Sequence, residues 1–101
     1  MTDTELNLAV AKAAGISARL VQHLVQANMV TAFIVVCERD NGGRFDPNND
    51  WNDAMEAARL FRDKYSYRAQ QILDTITVES LLNQGNPRSI CEAIVAMENS
   101  K

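Results

Sequence analysis

The sequence is poor in the residues that most often build catalytic and metal sites. It contains one histidine, His23, and two cysteines, Cys37 and Cys91, among 101 residues. These are too few ligands for a structural zinc site. Each cysteine lies in an apolar run with no adjacent positive charge to favour a thiolate, so we expect two buried, reduced thiols, although a disulfide is the alternative. A Cys–His nucleophile would need the fold to bring His23 beside one of them. We expect no enzyme, metal or cofactor.

Long apolar segments are also missing. The longest apolar run, 29–37, is interrupted by Thr31 and is far too short to span a bilayer. The first residues, 1–14, begin with acids where a secretion signal would have a basic segment. We therefore expect a cytoplasmic protein without membrane association.

The chain lacks the excess of positive charge that is typical of general nucleic-acid binders. Its formal net charge is −3, and hydrophobic residues make up 47% of it. An acidic balance argues against a broad basic surface. The hydrophobic content and the length predict one globular domain over residues 1–101.

Start and stop signals predict helices in the first third of the chain. "TDTE" at 2–5 is a capping box. Gly15 is a natural end for that helix. Ser17 can cap a second helix, 17–28, which would have an apolar stripe. The stripe contains Val21, Leu24 and Val25.

The longest helical periodicity runs from Trp51 to Ile76, although Tyr65–Ser66 marks a point where it could break. A last helix is predicted from "NPRS", 86–89, with Asn86 as the cap and Pro87 at the first helical position. Together these segments predict a mainly α protein, a compact bundle of about five helices.

The segment 29–38, "MVTAFIVVCE", fits either a strand or a buried helix. Its β-branched residues favour a strand, and its apolar character on all sides fits a buried helix. A strand needs a neighbour, and the best candidate is 74–80, in which Ile76 and Val78 alternate with threonines. That segment also fits a helix start, with Thr77 as the cap and Leu81 and Leu82 following. The alternative fold is therefore α+β, with a two-stranded sheet formed by 29–38 and 74–80.

The loop before Trp51 superficially resembles a calcium site. Asp46, Asn48 and Asp50 alternate as the first ligands of an EF-hand loop do. Trp51, however, stands where that motif requires glycine, and Ala57 stands where it requires a bidentate glutamate. We expect Asp50 to cap the helix that follows, and we expect no calcium.

Two charged regions are candidate partner-binding surfaces. The acidic one surrounds the loop and the helix start, and it would attract a basic partner; its residues are Asp46, Asp50, Asp53 and Glu56. The other is the basic and aromatic segment 59–68, which could hold phosphates and stack bases or dock an acidic protein. Its residues are Arg59, Arg62, Lys64, Tyr65, Tyr67 and Arg68. In the alternative for the acidic region, Arg39 and Arg44 interrupt its negative charge. In the alternative for 59–68, the segment is a helix with an apolar stripe.

Two blocks resemble a known family. "FDPNNDWNDAMEAA", 45–58, and "NPRSICEAIVAM", 86–97, are similar to a helix start and a C-terminal helix of small proteins of unknown function from tailed phages and prophages, sometimes called the phage α/β/α-sandwich family. That family is usually strand-rich between the two blocks, whereas residues 59–85 here have a helical pattern. The resemblance implies a phage accessory protein and supplies no catalytic residues.

Three functions follow as hypotheses. The first is a non-catalytic phage or prophage accessory protein that binds a host protein or protein–nucleic-acid complex, in the manner of an anti-CRISPR inhibitor of host defence. The second is a small nucleic-acid or nucleotide binder that uses the segment 59–68. The third is a homo-oligomeric structural module, such as a homodimer, in which 29–38 pairs across a two-fold axis.

Overall fold

Four helices and one two-stranded antiparallel sheet form the described part of the chain. The computed structural model describes residues 2–64, 67–82 and 86–99. The elements, in chain order, are α1 (Asp3–Ala14), β1 (Ala18–Ala27), β2 (Val30–Arg39), α2 (Trp51–Arg62), α3 (Tyr67–Leu82) and α4 (Arg88–Asn99). The fold is therefore α+β, and the predicted bundle of five helices is wrong.

Helix α1 begins and ends where the sequence predicts. The Thr2 hydroxyl accepts a hydrogen bond from the Glu5 amide at 3.2 Å and donates to the Glu5 carboxylate at 3.0 Å. At the other end Gly15 has a φ of 77°, and its amide bonds back to carbonyls of the last helical turn. A left-handed residue at this position favours glycine because it has no Cβ.

The predicted second helix, 17–28, is wrong, because this segment is strand β1. It pairs with β2 from Ala18↔Arg39 to Ala27↔Val30. Asn28 and Met29 connect the strands with φ values of 49° and 66°. Two positive φ values in a two-residue connection are typical of a type I′ hairpin turn. The apolar residues assigned to one helix face are instead paired across the two strands. Val21 lies beside Val36, Leu24 beside Phe33 and Val25 beside Ala32.

The predicted strand 74–80 is also wrong, because it lies inside helix α3. Leu73 and Thr77, four residues apart, are both buried, and the Thr77 hydroxyl donates to the Leu73 carbonyl at 2.9 Å. A helix places such residues on one face, so the alternation of threonines with Ile76 and Val78 misled the strand assignment. The prediction of 29–38 as a strand is confirmed, with a different partner.

The long periodic segment is divided between α2 and α3, which end at Arg62 and begin at Tyr67. The break lies where it was expected, and Tyr65 and Ser66 themselves lie outside the described residues. Helix α4 begins at Arg88, directly after the predicted Asn86–Pro87 start. No helix in the described ranges is long and apolar enough to cross a membrane.

The helices and the loop 40–50 form what we call the body. Its core contains fully buried Phe45, Phe61, Ile90 and Ile94. The loop is fastened to α1 by two buried amides, since Asn48 Nδ2 donates to Asn7 Oδ1 at 2.6 Å. Cys37, at the end of β2, reaches the same core. The hairpin thus joins the body at one end.

Candidate functional site

The part of the hairpin that projects beyond this junction, residues 20–35, is called the arm. Every residue from Gln22 to Val35 is exposed. Met29 at the tip is fully exposed and Phe33 is 66% exposed. The exposed large apolar residues of the arm are Leu20, Leu24, Val25, Met29, Val30, Phe33, Ile34 and Val35. A contiguous apolar surface of this kind is unusual on a monomeric protein, and it makes the arm the candidate interaction site.

Both faces of the arm are apolar. Directly paired residues of antiparallel strands share a face, so Leu24 lies beside Phe33 on one face and Val25 beside Ala32 on the other. Residues 20–37 contain no aspartate, glutamate, lysine or arginine. An ordinary surface hairpin turns one polar face to water, and exposed edges are usually protected by charge or proline. The arm has neither protection.

Arg39 fastens the hairpin to helix α2. Its guanidinium donates to both carboxylate oxygens of Glu56 at 2.8 Å and to Asp53 at 3.0 Å. It also lies 5.0 Å from the centre of the Phe45 ring, within reach of a cation–π interaction. The hydrogen bond from Arg39 lowers the pKa of Glu56, and the bond to Glu56 raises the pKa of Arg39. This contact fixes the direction in which the arm leaves the body.

The two edges of the hairpin differ. On β2 the Cys37 carbonyl accepts from the Phe45 amide at 2.9 Å, and the Arg39 amide donates to the Gly43 carbonyl at 2.7 Å. The segment 43–45 therefore covers the edge of β2 near the body. Among the described residues, the backbone groups of β1 bond to no segment other than β2. The outer edge of β1 is therefore free of backbone hydrogen bonds in the described structure, and from Gln22 to Ala27 it is also exposed.

His23 has a partner that the sequence prediction missed. It lies in the segment 17–28 that was predicted as a helix, but on strand β1 its Nε2 lies 2.8 Å from Glu38 Oε2. The pair Val21 and Val36 lies between them on the same face of the hairpin. The His23–Glu38 contact lies over Val36, which is only 8% exposed. It covers the apolar face of the hairpin at the point where the arm begins.

The predicted acidic surface is largely engaged in internal contacts. Asp50 caps α2 as predicted, since its carboxylate accepts from the Asn52 amide at 2.8 Å. Asp46 accepts from Asn7 Nδ2 at 3.0 Å, and its amide donates to Asp53 at 2.9 Å. Asp53 and Glu56 bind Arg39. The four acids do lie together, but they hold the loop and the hairpin in place.

The basic segment 59–68 is divided in the fold. Arg62 pairs with Asp74 of α3 at 3.0 Å, and the Lys64 ammonium donates to the Ala13 carbonyl at 3.2 Å. Phe61 is buried in the core, whereas Arg59 is exposed. Tyr65 lies outside the described residues. Tyr67 and Arg68 begin α3, and their side chains are not among those described.

Both cysteines are buried and free, as predicted. Burial raises the pKa of Cys37, and it raises the pKa of Cys91 to about 12. Over the described ranges, no group of three or more His, Cys, Asp or Glu side chains is arranged to hold a metal ion.

Sequence analysis named one strand of the arm, within 29–38, as a possible pairing surface of a homo-oligomer, but it did not identify the exposed hairpin 20–35 as a site. The available signal was the absence of charge over residues 20–37, together with β-branched residues on both sides of Asn28–Met29. Comparisons with protein-family models, curated proteins and solved structures found no match to this chain.

Proposed function

We propose that this protein is a non-catalytic binding protein that docks its arm against another polypeptide by β-strand addition. The observation that carries this proposal is the arm itself, an uncharged and exposed hairpin with an open edge on β1. Backbone groups at an open edge supply affinity for a second strand, and apolar side chains on either face supply further contact.

The anchoring of the arm supports a role in binding. A two-stranded hairpin is marginally stable by itself in water. Here Arg39 ties one end to Glu56 and Asp53 on α2, and Cys37 lies in the core. A binding element that is held in position before its partner arrives loses less conformational freedom on binding. The exposed apolar side chains add little to the stability of the body, so binding is the role that accounts for them.

The setting we propose is that of a phage or prophage accessory protein acting in the cytoplasm of a bacterial host. The resemblance of residues 45–58 and 86–97 to a phage family supports it. The target in this proposal is a host protein or protein–nucleic-acid complex, and inhibition of a host defence system is its concrete form. Because the arm is uncharged, its contact would be with the protein component.

The experiment compares capture of host proteins by three forms of the tagged full-length chain. The arm variant changes the register partners Leu24 and Phe33 together to lysine, which places two charges on one face. The control is Met55→Lys, a substitution of an exposed apolar residue on α2. We expect the parent and the control to retain the same host protein and the arm variant to lose it, with unchanged circular dichroism. Equal capture by all three would exclude the arm as the binding element.

A further inference from the structure

A second copy of this chain is a further partner of the arm, and this step rests on the proposed function of the arm as a protein-binding element. We infer that the arm docks against the arm of a second copy of this chain, with the two β1 edges paired antiparallel across a two-fold axis into a four-stranded sheet. The apolar faces of that sheet remain for the host protein. The inference is carried by which backbone groups are free, by the absence of charged side chains from the arm, and by its self-complementarity.

The hydrogen bonds near the body show which backbone groups of the arm point outward. Cys37 and Arg39 bond away from β1, to Phe45 and Gly43. In antiparallel strands, pairs of residues that hydrogen-bond to each other alternate with pairs whose N–H and C=O groups point away from the partner strand. The odd-numbered residues of β2 belong to the second kind, so their backbone groups point away from β1. The residues of β1 that pair with them likewise point their backbone groups away from β2. The outward-facing residues of β1 are Ala18, Leu20, Gln22, Leu24 and Gln26. Segment 43–45 already covers part of β2, so β1 has the longer free edge.

The charge of the arm favours a copy of itself over a charged partner. With no aspartate, glutamate, lysine or arginine in residues 20–37, the arm provides no permanently charged side chain that would pair with a charged groove or a phosphate backbone. A second arm has the same length, the same absence of charge and the same open edge. A two-fold axis brings one surface onto itself, which is the geometry of most homodimers.

Exposed apolar residues lie on both strands of the arm. The eight of them range from 38% to 104% exposed. Pairing of two β1 edges brings those of β1 beside the second copy in one continuous sheet. The two faces of that sheet stay exposed.

The pairing that uses all five outward-facing residues of β1 places Gln22 of one copy opposite Gln22 of the other. In this arrangement Leu20 lies opposite Leu24 of the second copy, so apolar residues meet apolar residues on one face. The two amides on the axis can hydrogen-bond to each other. The two bodies then lie at opposite ends of the sheet.

The test measures the mass of the full chain in solution by light scattering and compares two proline variants. Gln22→Pro removes an outward amide from β1, and Val35→Pro removes one from the same rung on β2. Neither substitution removes a hydrogen bond within the hairpin, because both amides point outward. We expect a dimeric parent, a twofold lower mass for Gln22→Pro, and a dimer for Val35→Pro. A parent that is monomeric at all concentrations, or a Gln22→Pro dimer, would overturn the inference.

A second measurement covers the case in which proline unfolds the hairpin in both variants. Gln22→Cys and Val35→Cys each add one exposed thiol to a chain whose native thiols are buried. With a short bismaleimide, we expect a covalent dimer for Gln22→Cys only, and crosslinking only through residue 35 would overturn the β1 pairing. The proposed function is tested separately: a monomeric parent whose Leu24/Phe33 lysine variant loses a host protein would overturn the second-copy partner and leave the arm as a binding element.

Discussion

Two phenylalanines show how differently the body and the arm are built. Phe61 in α2 is fully buried in the core, whereas Phe33 in the arm is 66% exposed. The body surrounds its apolar residues with its four helices and the loop 40–50, and several of its charged side chains form caps and ion pairs. The arm places apolar side chains on both faces in water and has no such network.

In the function that we propose, stability and interaction are assigned to separate parts of the molecule. The contacts that oppose unfolding are those of the body, since burial of apolar area is the main favourable term in folding. The hairpin joins the body at one end, where Ala18 and Cys37 contact the core and Arg39 binds Glu56 on α2. We therefore expect the arm to open locally without unfolding the body. Its apolar residues are available for a partner.

The largest expected effect comes from truncating each phenylalanine in turn. Phe61→Ala should lower the free energy of unfolding by about 3–5 kcal/mol, because it leaves a cavity in a packed core. Phe33→Ala should change it by less than about 0.5 kcal/mol, as is usual for exposed positions. Urea unfolding of both variants measures the contrast. Equal losses would show that Phe33 is packed against other residues in solution, and they would contradict the contrast between the two parts.

The junction between the two parts should be the next most sensitive. Arg39→Met should lower the free energy of unfolding by about 1–3 kcal/mol, since it leaves Asp53 and Glu56 without their shared donor in a half-buried site. Arg44→Met is the control, because Arg44 is exposed and is close in sequence. A loss no greater than that of the control would mean that Arg39 does not fasten the hairpin.

The same contact predicts a pH dependence. The pKa of Glu56 is lowered in the folded protein by its bond to Arg39. Its stabilising contribution is therefore complete above the ordinary glutamate pKa of about 4.3 and is lost as the pH falls through the lower folded value. Between these values the parent should lose stability more steeply with acid than Arg39→Met. Parallel curves in chemical denaturation from pH 7 to 3 would contradict the assignment.

Features that depend on neighbouring residues could be predicted from the sequence. The caps at Thr2, Gly15 and Asp50 are decided by hydrogen bonds within one turn of the helix, and all three were predicted. The buried state of Cys37 and Cys91 follows from their apolar surroundings in the chain.

Features that depend on distant residues could not be predicted. Residues 18–27 have a pattern that suits either a helix or a strand, and the choice depends on pairing with 30–39. Arg39 meets Glu56 across 17 positions, and Asn7 meets Asn48 across 41. No local spacing indicates such pairs. The acids Asp53 and Glu56 were therefore expected at a solvated helix start, although they bind Arg39. Reversing their charge would consequently disturb the fold as well as the surface.

The cap of α2 lies beside this junction and tests a smaller effect. Asp50→Ala should lower the free energy of unfolding by about 0.5–2 kcal/mol, because the Asn52 amide loses its acceptor. Asn52→Ala is the control, since it keeps that amide and its acceptor. Calcium should leave the melting temperature of the parent unchanged. A calcium-dependent rise that disappears in Asp50→Ala would show that the loop is a metal site after all.

The smallest expected effect is at the tip of the arm, and it tests whether the arm is a separate unit. Met29 has a φ of 66° and its side chain touches nothing, so it carries the strain of a left-handed residue without gaining any packing. Met29→Gly produces Asn-Gly, the preferred pair for a type I′ turn, and should stabilise the hairpin by about 0.5–1 kcal/mol. In hydrogen exchange, the inward-facing amides of the arm should gain roughly two- to fivefold protection while amides of α1 and α4 do not change. Met29→Ala removes the same side chain but keeps the Cβ, so it should give no gain. If protection rose equally in the arm and the body, the two would unfold as one unit, and the contrast between Phe61 and Phe33 would reflect burial alone.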